Sequence, residues 1–229
     1  MVTLTLADLR ARCRLLLAST AAWPDATLDG FIQDAIRFYS AEFPRLWRHT
    51  LDLATGTQAY DLPGHFGLVE VASVEYPAGQ TPPAFLMQVE AWDPDFQAGD
   101  AVYALRGIDD STAPGDEEAV GQIVLAPAVA SGETAVISYW GAHPVPAAGS
   151  DSDVITVPLP HWEALLAFVD FRCHWELEAD EAVNATTTSV VLSQLGENGR
   201  RAWNRYREVM DRLQWLAASR SAIIDWSMV

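Results

Sequence analysis

The side chains best suited to chemistry in this sequence are carboxylates that lie close together. Paired carboxylates can act as general acid and base in glycoside hydrolysis, or they can bind Ca²⁺. Every cluster here lies among the Gly and Pro residues typical of loops, and none has the ligand spacing of an EF-hand. The sequence therefore predicts solvated acidic loops rather than a catalytic pair. The clusters are Asp93 with Asp95, Asp109 with Asp110, and Asp116 with Glu117 and Glu118.

Other motifs that carry chemistry are absent from the sequence. The five His residues do not form an HExxH motif, and neither Cys13 nor Cys173 has the spacing of a metal site. There is no GxSxG nucleophile motif, no GxGxxG motif and no P-loop. We therefore expect no enzymatic activity, no metal and no cofactor. Both cysteines lie in apolar, helix-like surroundings, which predicts buried, reduced thiols; a disulfide between them has no support.

Composition argues against several classes of protein. The 229 residues include 31 acidic and 14 basic residues, so the formal net charge is −17, and no residue is Lys. Such a chain lacks the basic face that binds a polyanion. Half of its residues are hydrophobic, which argues against disorder, and no run reaches the roughly 20 apolar residues that span a bilayer. The first residues lack the apolar run of a secretory signal, so we expect folding in a cytosol.

Helical periodicity occupies both ends of the chain, and strand-like runs occupy the middle. Apolar residues recur at helical spacing in 5–18 and 28–43, with Thr5 as a predicted N-cap and Pro44 just after the second helix. Helical spacing returns over 160–180 and 187–219. Between these segments, β-prone runs alternate with turn residues. The predicted strands are 48–54, 67–76, 84–90, 101–106, 121–126 and 134–140.

We therefore predict an α+β fold, in which helices from both ends form a bundle and an antiparallel β subdomain is inserted between them. The predicted organisation is a single chain unit. Residues 1–46 and 158–220 form its helical part, 47–157 form its β part, and 221–229 form an apolar C-terminal tail. The helix at 160–180 is apolar on nearly every face, which predicts contact with a neighbouring subunit as well as with its own core.

The negative charge is concentrated in the β part. Residues 49–157 contain 16 acids and one Arg, whereas the rest of the chain contains 15 acids and 13 Arg. This distribution either serves solubility or separates an acidic surface that repels a polyanion from Arg-rich helices that contact protein partners. Trp and Arg are enriched in protein interfaces. Nine Trp in a chain without a catalytic motif therefore indicate an assembly component.

Three segments of the sequence resemble the head–tail adaptor (connector) proteins of tailed bacteriophages. Residues 23–44 carry the pattern W-x-D-x-x-L…I-x-x-A-x-x-x-Y…P, and residues 60–74 carry Y-x-L-P-x-x-F…V-x-x-V. Residues 153–169 follow a predicted strand and carry D-x-I-x-x-P-x-x-x-x-x-x-L-L-x-x-V. The order and spacing of the three segments cover most of the chain. The large middle region fits the short-tailed type better than the smallest adaptors.

The resemblance implies a structural protein of the virion neck, without catalytic activity, that forms a ring of twelve copies. Such a ring binds the portal protein on one side and tail or nozzle proteins on the other. Double-stranded DNA passes through its channel without specific binding. We expect assembly in the host cytoplasm and no membrane partner. The alternatives are a carbohydrate-binding or carbohydrate-active module, or another neck or tail completion protein.

The resemblance and the charge pattern together assign three candidate surfaces. In the family a C-terminal extension commonly reaches the portal, and the apolar end of this chain matches that role; the competing interpretation is that it folds back onto its own helices. The portal-docking candidates are Ile223, Ile224, Trp226, Met228 and Val229. The candidates that face the channel are Asp109, Asp110, Asp116, Glu117 and Glu118. The subunit-contact candidates are Arg200, Arg201, Arg205, Trp162 and Trp175.

Overall fold

The chain folds into two compact units, one of which is discontinuous in sequence. A helical unit combines residues 1–42 with residues 144–229, and a β unit comprises residues 43–143. In this computed structural model the long helices belong to the first unit and a seven-stranded sheet belongs to the second. The predicted α+β class is therefore confirmed. The structure describes residues 4–17, 23–62, 68–90, 92–98, 101–106, 122–126, 132–183 and 189–225.

The described elements follow the predicted order, with long helices at both ends and strands between them. In chain order they are α1 (Leu6–Leu16), α2 (Asp25–Glu42), β1 (Arg45–Asp52), β2 (Ala59–Asp61), β3 (Leu68–Glu75), β4 (Phe85–Gln88), α3 (Pro94–Ala98), β5 (Val102–Arg106), β6 (Gln122–Ala126), β7 (Thr134–Gly141), a 3-10 turn (Leu159–His161), α4 (Trp162–Val183) and α5 (Ser189–Asp225).

Helix α1 begins at the N-cap that the sequence predicts. The Asp8 N–H donates to Thr5 Oγ1 at 3.3 Å, and the Thr5 N–H donates to the Asp8 carboxylate at 2.9 Å. This reciprocal capping box pairs two backbone donors at the start of the helix. The hydrogen bonds from the Thr5 backbone and side chain lower the pKa of Asp8.

Helix α2 buries the apolar stripe that the sequence predicts. Leu28, Ile32 and Ile36 lie at helical spacing and are buried in the core of the helical unit. The helix ends at Glu42, two residues before Pro44. This end follows from the restriction that a proline places on the residue before it, which disfavours helical backbone angles there.

The start of α1 is held by the segment 144–157, which is distant in sequence. The Leu6 N–H donates to the Asp153 carbonyl oxygen, and the Ile155 N–H donates to the Leu4 carbonyl oxygen, both at 2.9 Å. These bonds pair backbone groups that a helix start otherwise leaves to water. The segment therefore joins the two parts of the helical unit, which the β unit separates in sequence.

We expect acidification to loosen this attachment. The Ser150 hydroxyl and the Ala147 N–H donate to the Asp153 carboxylate at 2.6 and 2.8 Å, and these bonds lower the pKa of Asp153. The lowered pKa means that this stabilisation is present above the ordinary Asp pKa of about 3.9 and is lost as the pH falls below it. Asp153→Ala should therefore lower the Tm at neutral pH, and this Tm deficit should shrink as the pH falls below the ordinary Asp pKa. A Tm deficit that stays constant as the pH falls would contradict the assignment.

A buried ion pair joins α1 to α2. The Arg10 guanidinium donates from Nε and Nη2 to the two carboxylate oxygens of Asp29, each at 2.8 Å. Its Nη1 donates to Asp151 at 2.8 Å, and the Gly149 N–H donates to Asp29 at 2.9 Å. The hydrogen bond to Asp29 raises the pKa of Arg10. Arg10 thus links two helices to the segment that closes the helical unit.

Helix α4 is the central helix of the helical unit. It packs against α5, and it also packs against α2 and α1. The buried residues of α4 point in several directions around the helix and include Leu165, Phe168, Val169 and Cys173. Its all-round apolar sequence is therefore covered largely by helices of the same chain.

The β unit contains one curved sheet with the strand order β1-β7-β3-β4-β5-β6-β2. The predicted antiparallel arrangement holds for the other described strand pairs, but β4 and β5 are parallel. Parallel neighbours need a crossover connection, usually helical. Here the crossover contains α3, which the sequence analysis did not predict.

The sheet curves around a hydrophobic cluster of buried residues. The cluster includes Leu51 of β1 and Leu62, which follows β2. The strands β1 and β2 are at opposite ends of the strand order, so the sheet brings its two ends to one cluster. Inward residues alternate with outward residues along β7, where Ile137 and Tyr139 are buried. On the outer face, Leu46 and Trp140 are cross-strand neighbours and remain exposed.

Candidate functional site

An aromatic cluster runs through the contact between α4 and α5 toward the surface. Phe168 is buried, and its ring centroid lies 6.0 Å from that of Phe171 and 5.4 Å from that of Tyr206. Phe171 continues the cluster to Trp175 at 6.0 Å and to Trp203 at 5.0 Å. These separations are typical of favourable aromatic pairs. The cluster therefore connects the core of the helical unit to an exposed aromatic surface.

At its outer end the aromatic cluster lines a groove of about 450 Å³ between the two helices, here called the α4–α5 groove. Two glycines of α5 contribute to it. A Cβ atom at Gly196 would lie 2.7 Å from Glu178 Oε1, and one at Gly199 would lie 3.6 Å from His174 Cβ. The absence of side chains there brings α5 close to α4 and leaves the aromatic rings accessible. The groove is lined by Phe171, Trp175, Glu178, Leu192, Ser193, Gly196, Gly199, Arg200 and Trp203.

Ion pairs connect the two helices on an adjoining part of their contact. Glu163 of α4 accepts hydrogen bonds from Arg212 at 2.6 Å and from Arg205 at 3.4 Å. The bond from Arg212 is the main reason that the pKa of Glu163 is lowered. Burial instead raises the pKa of Asp170, one of whose oxygens lies 3.5 Å from His174 Nε2. Arg205, a predicted subunit contact, thus already has a partner in its own chain.

The other predicted subunit-contact residues differ in their exposure. Trp175 is 57% exposed and Arg200 is exposed, and both line the α4–α5 groove. Arg201 is exposed and pairs with Glu197 at 2.5 Å on its own helix. Trp162 is 1% exposed, so its ring packs in the core of its own unit and presents no surface to another subunit. The structure therefore brings Trp175 and Arg200 together at one surface.

The C-terminal candidates lie at and beyond the end of α5. The helix extends to Asp225, beyond the predicted end at 219, so the backbone of Ile223 and Ile224 is helical. Leu213 is buried, whereas 214–218 are exposed. Side-chain positions are described up to residue 218 of this helix. Trp226, Met228 and Val229 lie outside the described residues.

The acidic candidates are only partly described. Asp93 Oδ1 accepts the Asp95 N–H at 2.9 Å at the start of α3, so the Asp93 carboxylate caps a turn. Within the described ranges, no three His, Cys, Asp or Glu side chains come together in a way that could hold a metal ion. The five channel candidates, Asp109, Asp110, Asp116, Glu117 and Glu118, lie outside the described residues.

The two cysteines are free and buried, as the sequence predicts. Burial raises the pKa of the Cys13 and Cys173 thiols to about 12. Both thiols are therefore protonated at neutral pH, which makes them poor nucleophiles. Among the described helices, none combines the length and the apolar character needed to cross a membrane.

The α4–α5 groove was not predicted from the sequence. A signal was present, because Gly196 and Gly199 interrupt an otherwise regular amphipathic helix. A glycine in a helix interior costs about 1 kcal/mol relative to alanine and often marks a packing requirement. Trp203 lies one turn after Gly199 and was not among the predicted subunit contacts.

A family model described as SU10 adaptor protein matches residues 4–222, which is nearly the whole chain. The match confirms the resemblance to phage head–tail adaptors that three sequence segments indicated; the short-tailed type stays a prediction. No curated protein matches the sequence.

Proposed function

Because this chain belongs to the SU10 adaptor protein family, we propose that it forms a ring in the neck of a phage virion. The ring, of twelve copies, docks on the portal on one side and contacts tail or nozzle proteins on the other. It leaves a channel through which double-stranded DNA passes, and it catalyses no reaction. Assembly takes place in the host cytoplasm.

The observation that carries this proposal is the helix α5. This helix has 37 residues, whereas α4, against which it packs, has 22. Trp215 is 68% exposed and Leu216 is 41% exposed, two and three residues after the buried Leu213. Trp is among the residues most enriched at interface hot spots, and an adaptor must present such surfaces to its neighbours. The end of α5 is therefore suited to contact another protein.

We assign portal docking to the chain that follows this exposed turn. Its helical backbone through Asp225 favours docking as a helix, whose apolar residues fill a groove on the partner. A preformed helix also lowers the entropy cost of binding. The proposed contact residues are Ile223, Ile224, Trp226, Met228 and Val229.

The acidic β unit is the proposed channel surface. Residues 43–143 contain 14 acids and three Arg. A wall with the same sign of charge as DNA offers few phosphate contacts, so a duplex can slide past it. Salt screens exposed charges beyond about 8–10 Å, so only residues at the wall have a large effect. The proposed wall residues are Asp109, Asp110, Asp116, Glu117 and Glu118.

Deleting residues 221–229 tests the docking assignment. The deletion keeps Leu213 and every other residue of α5 that the structure describes as buried, so the Tm should stay within a few degrees of the wild-type value. Co-assembly with the portal, measured by mass photometry and by particle imaging with a symmetry count, should weaken at least tenfold. Undiminished affinity for the portal would rule out this docking segment.

A matched pair of tryptophan substitutions controls for general loss of apolar surface. Trp226→Ala removes an aromatic side chain from the proposed docking segment. Trp92→Ala removes a 78% exposed tryptophan from the β unit. Trp226→Ala alone should weaken portal binding, and equal weakening by both variants would argue against a specific C-terminal contact.

A further inference from the structure

We propose that the outer face of α5, which carries Arg200 and Arg207, forms one side of the contact between two copies of this chain, together with the α4–α5 groove. An acidic surface of the second copy occupies it. This inference rests on the proposed ring and identifies the surface through which its copies associate. The proposed contact consists of a groove with a defined sign of charge and geometry, whereas the sequence predicted only separate subunit-contact residues.

The charge of α5 differs in sign from that of the rest of the chain. Helix α5 contains six Arg and four acids, a formal charge of +2. The remaining residues contain 27 acids and eight Arg, a formal charge of −19. A net charge of this size opposes association of two copies, and a positive surface within their contact offsets that repulsion. A second copy therefore presents the charge that α5 complements.

Two arginines on the outer face of α5 are available for such a contact. Arg200 and Arg207 are both exposed, and neither has a carboxylate partner within the described parts of the chain. They lie seven residues apart, which places them on the same face of the helix. By contrast, Arg205 and Arg212 are paired with Glu163. These two arginines on the outer face can therefore form ion pairs with carboxylates of another molecule.

The α4–α5 groove supplies the apolar part of the contact. Trp175 is 57% exposed, and Trp203 lies across the groove from it, each in contact with Phe171. Arg200 lies at the same groove. An aromatic pocket flanked by a cation is the usual composition of an interface hot spot, where an apolar side chain of the partner is anchored and water is excluded.

The charge pattern also favours one geometry of the contact. If two copies met through the same face, Arg200 and Arg207 of one copy would oppose the same cations of the other. Like charges placed together across an interface cost several kcal/mol. This repulsion favours a heterologous contact, with the α5 face of one copy against a different, acidic face of the next. Heterologous contacts repeated with a closing rotation generate rings.

Charge reversal on α5 tests the proposal in the full-length chain. Arg200→Glu/Arg207→Glu should weaken self-association at least tenfold, measured by sedimentation and by native mass spectrometry with and without portal. Arg37→Glu/Arg48→Glu is the matched control. It changes the net charge equally, at exposed arginines outside α5 whose partners, Asp34 and Glu75, belong to their own chain. Equal loss of association in both variants would overturn the inference.

A second variant tests the groove without removing any contact. Ser193 is exposed and lines the groove, so Ser193→Trp fills it with a side chain from α5. We expect a Tm close to that of the wild type and loss of ring formation. Normal rings in both Ser193→Trp and the charge-reversed variant would overturn the inference and leave the proposed adaptor ring intact. A wild-type chain that stays monomeric with and without portal would overturn both proposals.

Discussion

Arg10→Met is expected to lower the free energy of unfolding of the helical unit by about 3–5 kcal/mol, the usual loss when one partner of a buried ion pair is removed. Asp29 is 0% exposed, and both of its carboxylate oxygens accept hydrogen bonds from Arg10. Methionine leaves this carboxylate buried with the Gly149 N–H as its remaining described donor. Urea denaturation followed by the helical circular dichroism signal measures the change.

Two further variants separate the charge effect from a packing effect. Arg10→Met/Asp29→Leu removes both charges and should recover most of the lost stability, because no uncompensated buried charge remains. Arg201→Met breaks an exposed pair with Glu197 and should change stability by less than about 1 kcal/mol. If Arg10→Met and Arg201→Met gave similar values, the ion pair between α1 and α2 would have no special role.

Trp162→Ala is expected to destabilise the helical unit by about 3–5 kcal/mol, the range for aromatic residues truncated in a core. The Trp162 ring is 1% exposed, and its Nε1–H donates to the Val157 carbonyl oxygen at 3.1 Å. The Arg12 guanidinium carbon lies 5.1 Å from the ring centroid. Truncation removes these contacts and leaves a cavity at the start of α4. The same urea titration measures the loss.

Trp175→Ala is the matched comparison, because it truncates the same residue type on the same helix. Trp175 is 57% exposed, so the isolated chain should lose about 1 kcal/mol or less, the range for surface substitutions. Its effect should appear in self-association instead. If Trp175→Ala destabilised the monomer as much as Trp162→Ala, the assignment of one tryptophan to the core and the other to an interface would be wrong.

Most elements of the fold could be predicted from periodicity and turn residues. Helix α2 is bounded by Pro44 and its apolar stripe is strong, so its end was predicted within two residues. The first strand was predicted at 48–54, but β1 begins at Arg45. The charged Arg45 did not resemble the start of a strand; in the structure its guanidinium carbon lies 4.4 Å from the Trp47 ring centroid. The strand β2 was missed, since three residues carry no detectable alternation.

The surroundings of α4 could not be predicted from its sequence. An apolar pattern on every face shows that a helix is buried on several sides, but it does not show which chain covers it. The structure places α5 on α4, and also α1 and α2. Most of the apolar surface that predicted a neighbouring subunit is therefore explained by the chain itself. Trp175 remains exposed and keeps that prediction open.

The ion pair of Arg10 and the α4–α5 groove depend on the tertiary arrangement of helices. Arg10 and Asp29 are 19 residues apart on different helices, and each alone resembles an ordinary surface charge in the sequence. The groove depends on how closely α5 approaches α4 at Gly196. The ion pair has no signature in local periodicity, and the glycines of α5 mark a packing requirement without showing which helix packs there, so both features required the structure.

On the ribosome, the discontinuous helical unit has to wait for the whole β unit to be synthesised. Residues 43–143 are contiguous, so the nascent chain can complete the sheet as soon as β7 has emerged. Helices α1 and α2 have been made by then, but α4 and the segment that holds Leu6 have not. The apolar stripe of α2 therefore lacks α4 to cover it until late in translation, and the sheet can fold before the helical bundle closes.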